Sequence, residues 1–306
     1  STNFLDADFT AGNASFGVPR IYYSRQSGLW TNLSTWSLTG HTVNNPPSVI
    51  PGVNDIVIIG GTDSVYLTTN LTVANASIQS CASLSIEAGS ALDIGYNPGC
   101  NFAMVVSHPS GNGNFRVTTN YNSPSTFVFP SGDFSDFNEN RGTTELYTTN
   151  PVAGGTYYLP STVSNYGNLI LSPLGGSNVM FANMDIVVYG NLVTRGENAD
   201  SWFLPCWGTT YPGSVAAVPK TIYVKGNMEI QGGALIWYQN GSIAQNFVID
   251  GNVTVSTLSA LYVWSGANNQ SMSIGGSLIN NTDGLAHGLS TTSKVDFTNI
   301  HVTFFG

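Results

Sequence analysis

Asp133, Asp136 and Glu139 form an acidic cluster in the run Asp133-Phe134-Ser135-Asp136-Phe137-Asn138-Glu139, with Arg141 just beyond it. Oxygen ligands at alternate positions suit calcium, so the run is a candidate Ca2+ site, although it does not follow the EF-hand spacing. A solvated loop is the plainer reading. A second concentration is aromatic: Trp202, Phe203, Trp207 and Tyr211. Exposed aromatics invite aggregation, so such a group requires a partner surface. That surface is either a sugar ring or another chain, which makes these four a candidate binding site, or it is the protein's own flank. His41, His108, His287 and His301 are scattered and show no metal-ligand spacing. Neither a Gly-x-Ser-x-Gly nucleophile turn nor a phosphate loop occurs. Hydrolysis of a glycosidic bond needs two carboxylates facing across a cleft, and the sequence offers few. Cys81, Cys100 and Cys206 form no CxxC pair, so no zinc pattern is present. Cys81 and Cys100 are spaced to face each other across neighbouring coils, as a disulfide or as buried free thiols.

Such residues must be positioned by strands. No long segment carries apolar residues at helical spacing, while alternation recurs between clusters of Gly, Asn, Ser and Pro. The second half repeats one motif: Ile186-x-Val188-x-Gly190-Asn191-Leu192, Ile222-x-Val224-x-Gly226-Asn227-Met228, Phe247-x-Ile249-x-Gly251-Asn252-Val253 and Met272-x-Ile274-x-Gly276-Ser277-Leu278. With Gly167, the glycines step by 23, 36, 25 and 25 residues. A period in the twenties is that of a β-solenoid coil. Alternate apolar residues face one side of each strand, Gly-Asn turns a corner through left-handed backbone, and stacked coils bury the inward rows together. The expected fold is all-β, a right-handed parallel β-helix (solenoid), because parallel crossovers are right-handed. Residues 1–27 read as an irregular N-terminal cap and 28–306 as the β-helix. Within it, 107–150 is a looped-out or distorted sub-region and 195–218 holds an insert. Insertions in repeat proteins emerge on one face, often the binding face. Trp30 and Trp36 read as packing for the first coil, or else as a sugar-stacking platform.

Charged residues make up only 8% of the chain, with 8 Lys and Arg against 17 Asp and Glu. A net charge of −9 argues against nucleic acid, which needs clustered cations. No apolar run reaches the length of a membrane span. Solubility rests on Ser, Thr, Asn and Gly, a surface common among extracellular β-proteins. The chain stops at Phe305-Gly306 inside an apolar strand pattern, so the full protein is expected to continue.

The stretch Tyr22-Tyr23-Ser24-Arg25-Gln26-Ser27-Gly28-Leu29-Trp30, then Trp36, Pro51-Gly52-Val53-Asn54-Asp55-Ile56-Val57-Ile58-Ile59 and Leu84-x-Ile86-x-x-Gly89-Ser90-x-Leu92-x-Ile94, resembles the opening of large secreted and cell-surface proteins of Bacteroidota. These are exported by the type IX system and include gliding-type adhesins. The stretch also resembles the eight-glycine extracellular domain of some β-helix proteins. The resemblance covers about residues 20–95 and 156–306. It implies a parallel β-helix, a secreted or cell-surface location, and partners among surface polysaccharides or other surface and secretion-system proteins. Its motifs are structural and name no catalytic residue. Asp63-Ser64-Val65 resembles the Asp-Ser/Thr-apolar site of O-glycosylation in exported Bacteroidota proteins, which makes Ser64 a candidate modification site. The expected function is an adhesin-like or structural recognition module of a larger protein. The alternative is a polysaccharide-active lyase or glycoside hydrolase.

Overall fold

A computed structural model describes residues 20–52, 55–66, 83–96, 109–119, 125–149, 154–196, 201–205, 219–237, 245–263, 270–285, 292–298 and 300–306. Among them, nearly all regular structure is strand, and every strand pair but one is parallel. The strands stack into a β-solenoid with three faces. Its first face runs through Ile21–Ser24, Ile56–Ile59, Ser83–Ile86 and Ser110–Gly111, and resumes at Asn165–Tyr166, Ile186–Val188, Lys220–Val224, Gln245–Ile249, Gln270–Ile274 and Ile300–Phe304. The second face continues without a break from Gly28–Leu29 to Leu278–Asn280, and the third begins at Ser125–Thr126. Met228–Trp237 belongs to both, bending at Gly232-Gly233.

Inward rows make the core. Val57 and Ile59 stack on Leu84 and Ile86, while Leu169, Leu192, Met228 and Val253 form a row of the second face, all fully or almost fully buried. Each such side chain contributes about 1.5–3 kcal/mol by leaving water. The expected boundary of the cap shifts, because Ile21–Ser24 is already a solenoid strand in register with Ile56–Ile59. What covers its free edge is Trp36–Ser37, the one antiparallel partner. Trp30 and Trp36 lie inside that coil at 1% and 0% exposure, and the Trp36 indole donates to the Trp30 carbonyl at 2.7 Å. Buried rings offer no stacking platform to a sugar.

The Gly-Asn corners are built differently from the sequence expectation. Gly190, Gly226, Gly251 and Gly276 are not among the left-handed residues, whereas the turn glycine Gly89 is, at φ 78°. The requirement is space. Asn168 Oδ1 accepts the amide of Asn191 in the next coil at 2.8 Å, Asn191 that of Asn227, Asn227 that of Asn252, and Asn252 that of Ser277. A Cβ on Gly226 would meet Asn191 Oδ1 at 2.5 Å and the Gly190 carbonyl oxygen at 2.6 Å. Glycine lets each coil descend onto the asparagine ladder of the coil before it.

Within 107–150, the described residues 109–119 and 125–149 form a distorted coil rather than a looped-out region. Asn114–Thr118 and Thr143–Tyr147 keep full register on the second face. On the first face the strand between Ser110–Gly111 and Asn165–Tyr166 is replaced by a helix, α1, Ser135–Glu139.

Candidate functional site: a cleft at the interrupted face

Replacing a strand with a helical turn removes a rung of backbone pairing, and two substitutes fill the gap. Asn138, 8% exposed, donates from Nδ2 to the Asn165 carbonyl and accepts the Gly167 amide at Oδ1, both at 3.1 Å. Its side chain thus does the work of a ladder strand. Beneath the helix, Phe115, Phe129, Phe134 and Phe137 pack edge-on or tilted with centroid separations of 4.9–6.4 Å, filling the wider core. Two residues beyond α1, Arg141 adopts φ 59°, a left-handed conformation costly for a bulky side chain. Gly142 follows because a Cβ there would strike the Phe137 ring.

Outside the helix lies a cleft of about 510 Å³. Its walls are the loop and helix 129–139, the segment 162–165, and Tyr189 from the next coil. Apolar surface comes from Phe129, Val163 and Tyr189, and hydroxyls come from Ser131, Ser135, Thr162 and Ser164. Asp133 and Glu139 supply carboxylates, and neither Lys, Arg nor His lines the space. Lys225 Nζ lies 4.3 Å from the Tyr189 ring centroid, bracing the ring by a cation–π contact.

The acidic run therefore lies at this cleft, but not as a calcium loop. Asp133 Oδ1 accepts the Ser135 amide at 2.9 Å, Asp136 lies in the first turn of α1, and Glu139 ends it. All three are exposed. Among the described residues no three His, Cys, Asp or Glu side chains gather as metal ligands. A helical turn spreads these carboxylates, where an ion-binding loop would fold them inward.

The aromatic group separates as well. Phe203 is a core residue at 0% exposure, inward on the third-face strand Trp202–Leu204 and level with Val179 and Leu235. It is unavailable to a ligand, because strand alternation turns it inward. Trp202, its neighbour, points outward, is half-buried and packs on a second apolar cluster of Met180, Leu204, Ala234, Ile236, Ala260 and Tyr262. Trp207 and Tyr211 lie outside the described residues, as do Cys81, Cys100, Cys206, His108 and His287. Ser64 opens the strand Ser64–Tyr66, half-buried, with its amide bonded to Ser27 Oγ.

A cluster that sequence reading missed lies on the outer side of the second face. Asp93, Arg116 and Glu145 stand one per coil in strict register. Arg116 Nη1 meets Asp93 Oδ2 at 2.8 Å, and its Nε meets Glu145 Oε2 at 2.8 Å. Tyr147 Oη donates to Asp93 at 2.8 Å, and the guanidinium lies 4.4 Å from the Tyr147 ring centroid. Burial alone would push the Glu145 carboxyl up, but the hydrogen bond and charge of Arg116 outweigh it and hold it below the usual carboxylate range. Burial and the neighbouring Asp93 push the Tyr147 phenol up. The signal was available: Leu92-x-Ile94, Phe115-x-Val117 and Thr144-x-Leu146 are the inward pairs, and each encloses one of the charged residues.

This cluster is closed chemically. Two carboxylates spaced by two rungs resemble the general acid and base of a glycosidase, which need room for water and the scissile oxygen between them. Here the guanidinium occupies that room. A carboxyl held ionised by Arg116 has no proton to give near neutral pH. Among the described residues no helix is long and apolar enough to cross a membrane. Comparison with protein-family models, with curated proteins and with solved structures returned no match.

Proposed function

We propose that this chain is a non-catalytic recognition module, adhesin-like or structural in role, within a larger secreted or cell-surface protein. The observation that carries the reading is the contrast between the two polar sites. The charged cluster of Asp93, Arg116, Glu145 and Tyr147 is filled by its own ion pairs, while the cleft beside α1 is a space of about 510 Å³ lined by hydroxyl-bearing, carboxylate and aromatic residues. A surface with so few charges, maintained by Ser, Thr, Asn and Gly, favours an extracellular setting over a charged intracellular one. The sequence resemblance to type IX-exported surface proteins of Bacteroidota points the same way. Partners in this reading are surface polysaccharides or other surface proteins.

The test separates recognition from turnover. The protein is incubated with a panel of polysaccharides, with and without calcium, and assayed for new reducing ends and unsaturated products. We expect none, alongside retention of the protein on cells or on immobilised polysaccharide. Turnover abolished by Asp136→Ala or Glu139→Ala would establish a polysaccharide-active enzyme instead.

A further inference from the structure

We infer that the cleft beside α1 binds an uncharged saccharide, which stacks on Tyr189 and gives its hydroxyl protons to the carboxylates of Asp133 and Glu139. The inference rests on the recognition reading above and names the ligand of that same site. Size comes first. About 510 Å³ falls within the range of small-ligand sites, roughly 300–1,000 Å³. Chemistry narrows the choice. An anionic sugar or phosphate would face two carboxylates with no cation among the lining residues. A compact cation calls for converging carboxylates, whereas Asp133 precedes the five-residue helix and Glu139 ends it, and one oxygen of Asp133 already holds the Ser135 amide. A purely apolar ligand would strip water from the Glu139 carboxylate and from the hydroxyls of Thr162 and Ser164.

A pyranose ring meets each of these demands. It has an apolar C–H face for an aromatic ring and a rim of hydroxyls that donate to carboxylates and exchange hydrogen bonds with Ser and Thr. The aromatic wall is preorganised: the Tyr189 amide is tied to the Tyr166 carbonyl at 2.9 Å, and Lys225 lies against the ring. Preorganised side chains lose less freedom when a ligand arrives. The opposite wall is fixed by Asn138, whose side chain joins helix and strand. The site thus sits where the solenoid gives up a strand, and Asn138 and the Tyr189 contacts support its two walls.

The experiment uses the whole chain in affinity electrophoresis and calorimetry against three probe classes: soluble neutral glucans and mannans, anionic pectin and alginate, and cationic chitosan oligosaccharides. Neutral polysaccharides are expected to retard the protein, and the anionic class is not. Tyr189→Ala should weaken binding by about tenfold or more, and Tyr189→Phe should retain it, because the ring does the stacking. Glu139→Gln is a surface change that leaves folding intact, and it should weaken binding through loss of a strong acceptor. Unchanged melting of each variant separates lost binding from lost structure. Preference for the anionic or cationic class, or neutral binding indifferent to both Tyr189→Ala and Glu139→Gln, would overturn the inference while leaving a recognition module. No binding by any class would also overturn it. New reducing ends would instead remove the non-catalytic reading itself.

Discussion

The Gly-Asn corner shows how one residue pair can specify a coil. Its periodicity was legible in the sequence because each copy sits between apolar alternations, and that sufficed for a parallel solenoid. Its physical cause was not legible, since glycine serves both left-handed turns and close approach. Only the stacked coils show Asn Oδ1 reaching the next amide and leaving no room for a Cβ. The two causes predict different mutants. Gly226→Ala in a left-handed turn would be strained whatever its surroundings. Here the added methyl meets Asn191 and the Gly190 backbone, so the cost is that of overpacking, about 1–3 kcal/mol. Asn191→Ala removes one of the obstructing atoms but leaves the Asn227 amide without its acceptor, a loss of about 1–3 kcal/mol. We expect the double variant to cost less than the sum of the single ones in urea unfolding. Strict additivity would show that the two residues do not share this contact.

At the scale of elements, the register of strands assembled a cluster that no local reading could see. Asp93, Arg116 and Glu145 are separated by 23 and 29 residues, and the longer step is the coil that contains α1. Single charges among Asn, Ser and Thr look like solvated surface until the inward pairs are aligned. The same blindness affected Phe203, grouped with Trp202 by proximity in sequence although strand alternation sends the two side chains to opposite faces. The cluster has a pH signature. Glu145 has a depressed folded-state pKa, so its contribution is present above the unfolded value near 4.3 and is lost as pH falls through the folded one. Tyr147 has a raised one, so its contribution is full below the unfolded value near 10 and is lost as pH rises above it. Stability measured by urea unfolding should therefore fall at both extremes. Tyr147→Phe should lower stability at pH 7, where the hydrogen bond to Asp93 is lost, and flatten the alkaline fall by up to about 1.4 kcal/mol per pH unit. An alkaline slope identical to that of the wild type would assign the titration to other groups, the buried Tyr166 among them.

For the whole molecule, stability in a solenoid is approximately a sum over coils and the interfaces between them, so the weakest interface decides where it divides. The first face is interrupted at α1, and among the described residues no strand carries the ladder between Ser110–Gly111 and Asn165–Tyr166. Coupling there depends on the second face, where Asn114–Thr118, Thr143–Tyr147 and Asn168–Ser172 pair in sequence, and on the phenylalanines beneath the helix. Arg116 bridges that junction from the outside, joining Asp93 of the preceding coil to Glu145 of the following one. Arg116→Ala leaves two carboxylates facing each other in a half-buried row. The cost should stay below the roughly 3–5 kcal/mol of a fully buried broken pair, because the Arg116 side chain keeps 30% exposure. More telling is where the loss falls. Hydrogen exchange followed by mass spectrometry should show coils on both sides opening together in the wild type. In Arg116→Ala the shorter block before residue 119 should lose protection first, while strands from Asn168 onward keep theirs. That order follows because fewer coils remain to hold the shorter block once the junction is weakened. Equal loss of protection on both sides would mean that the second-face ladder alone couples the blocks and that the ion pairs contribute nothing to it.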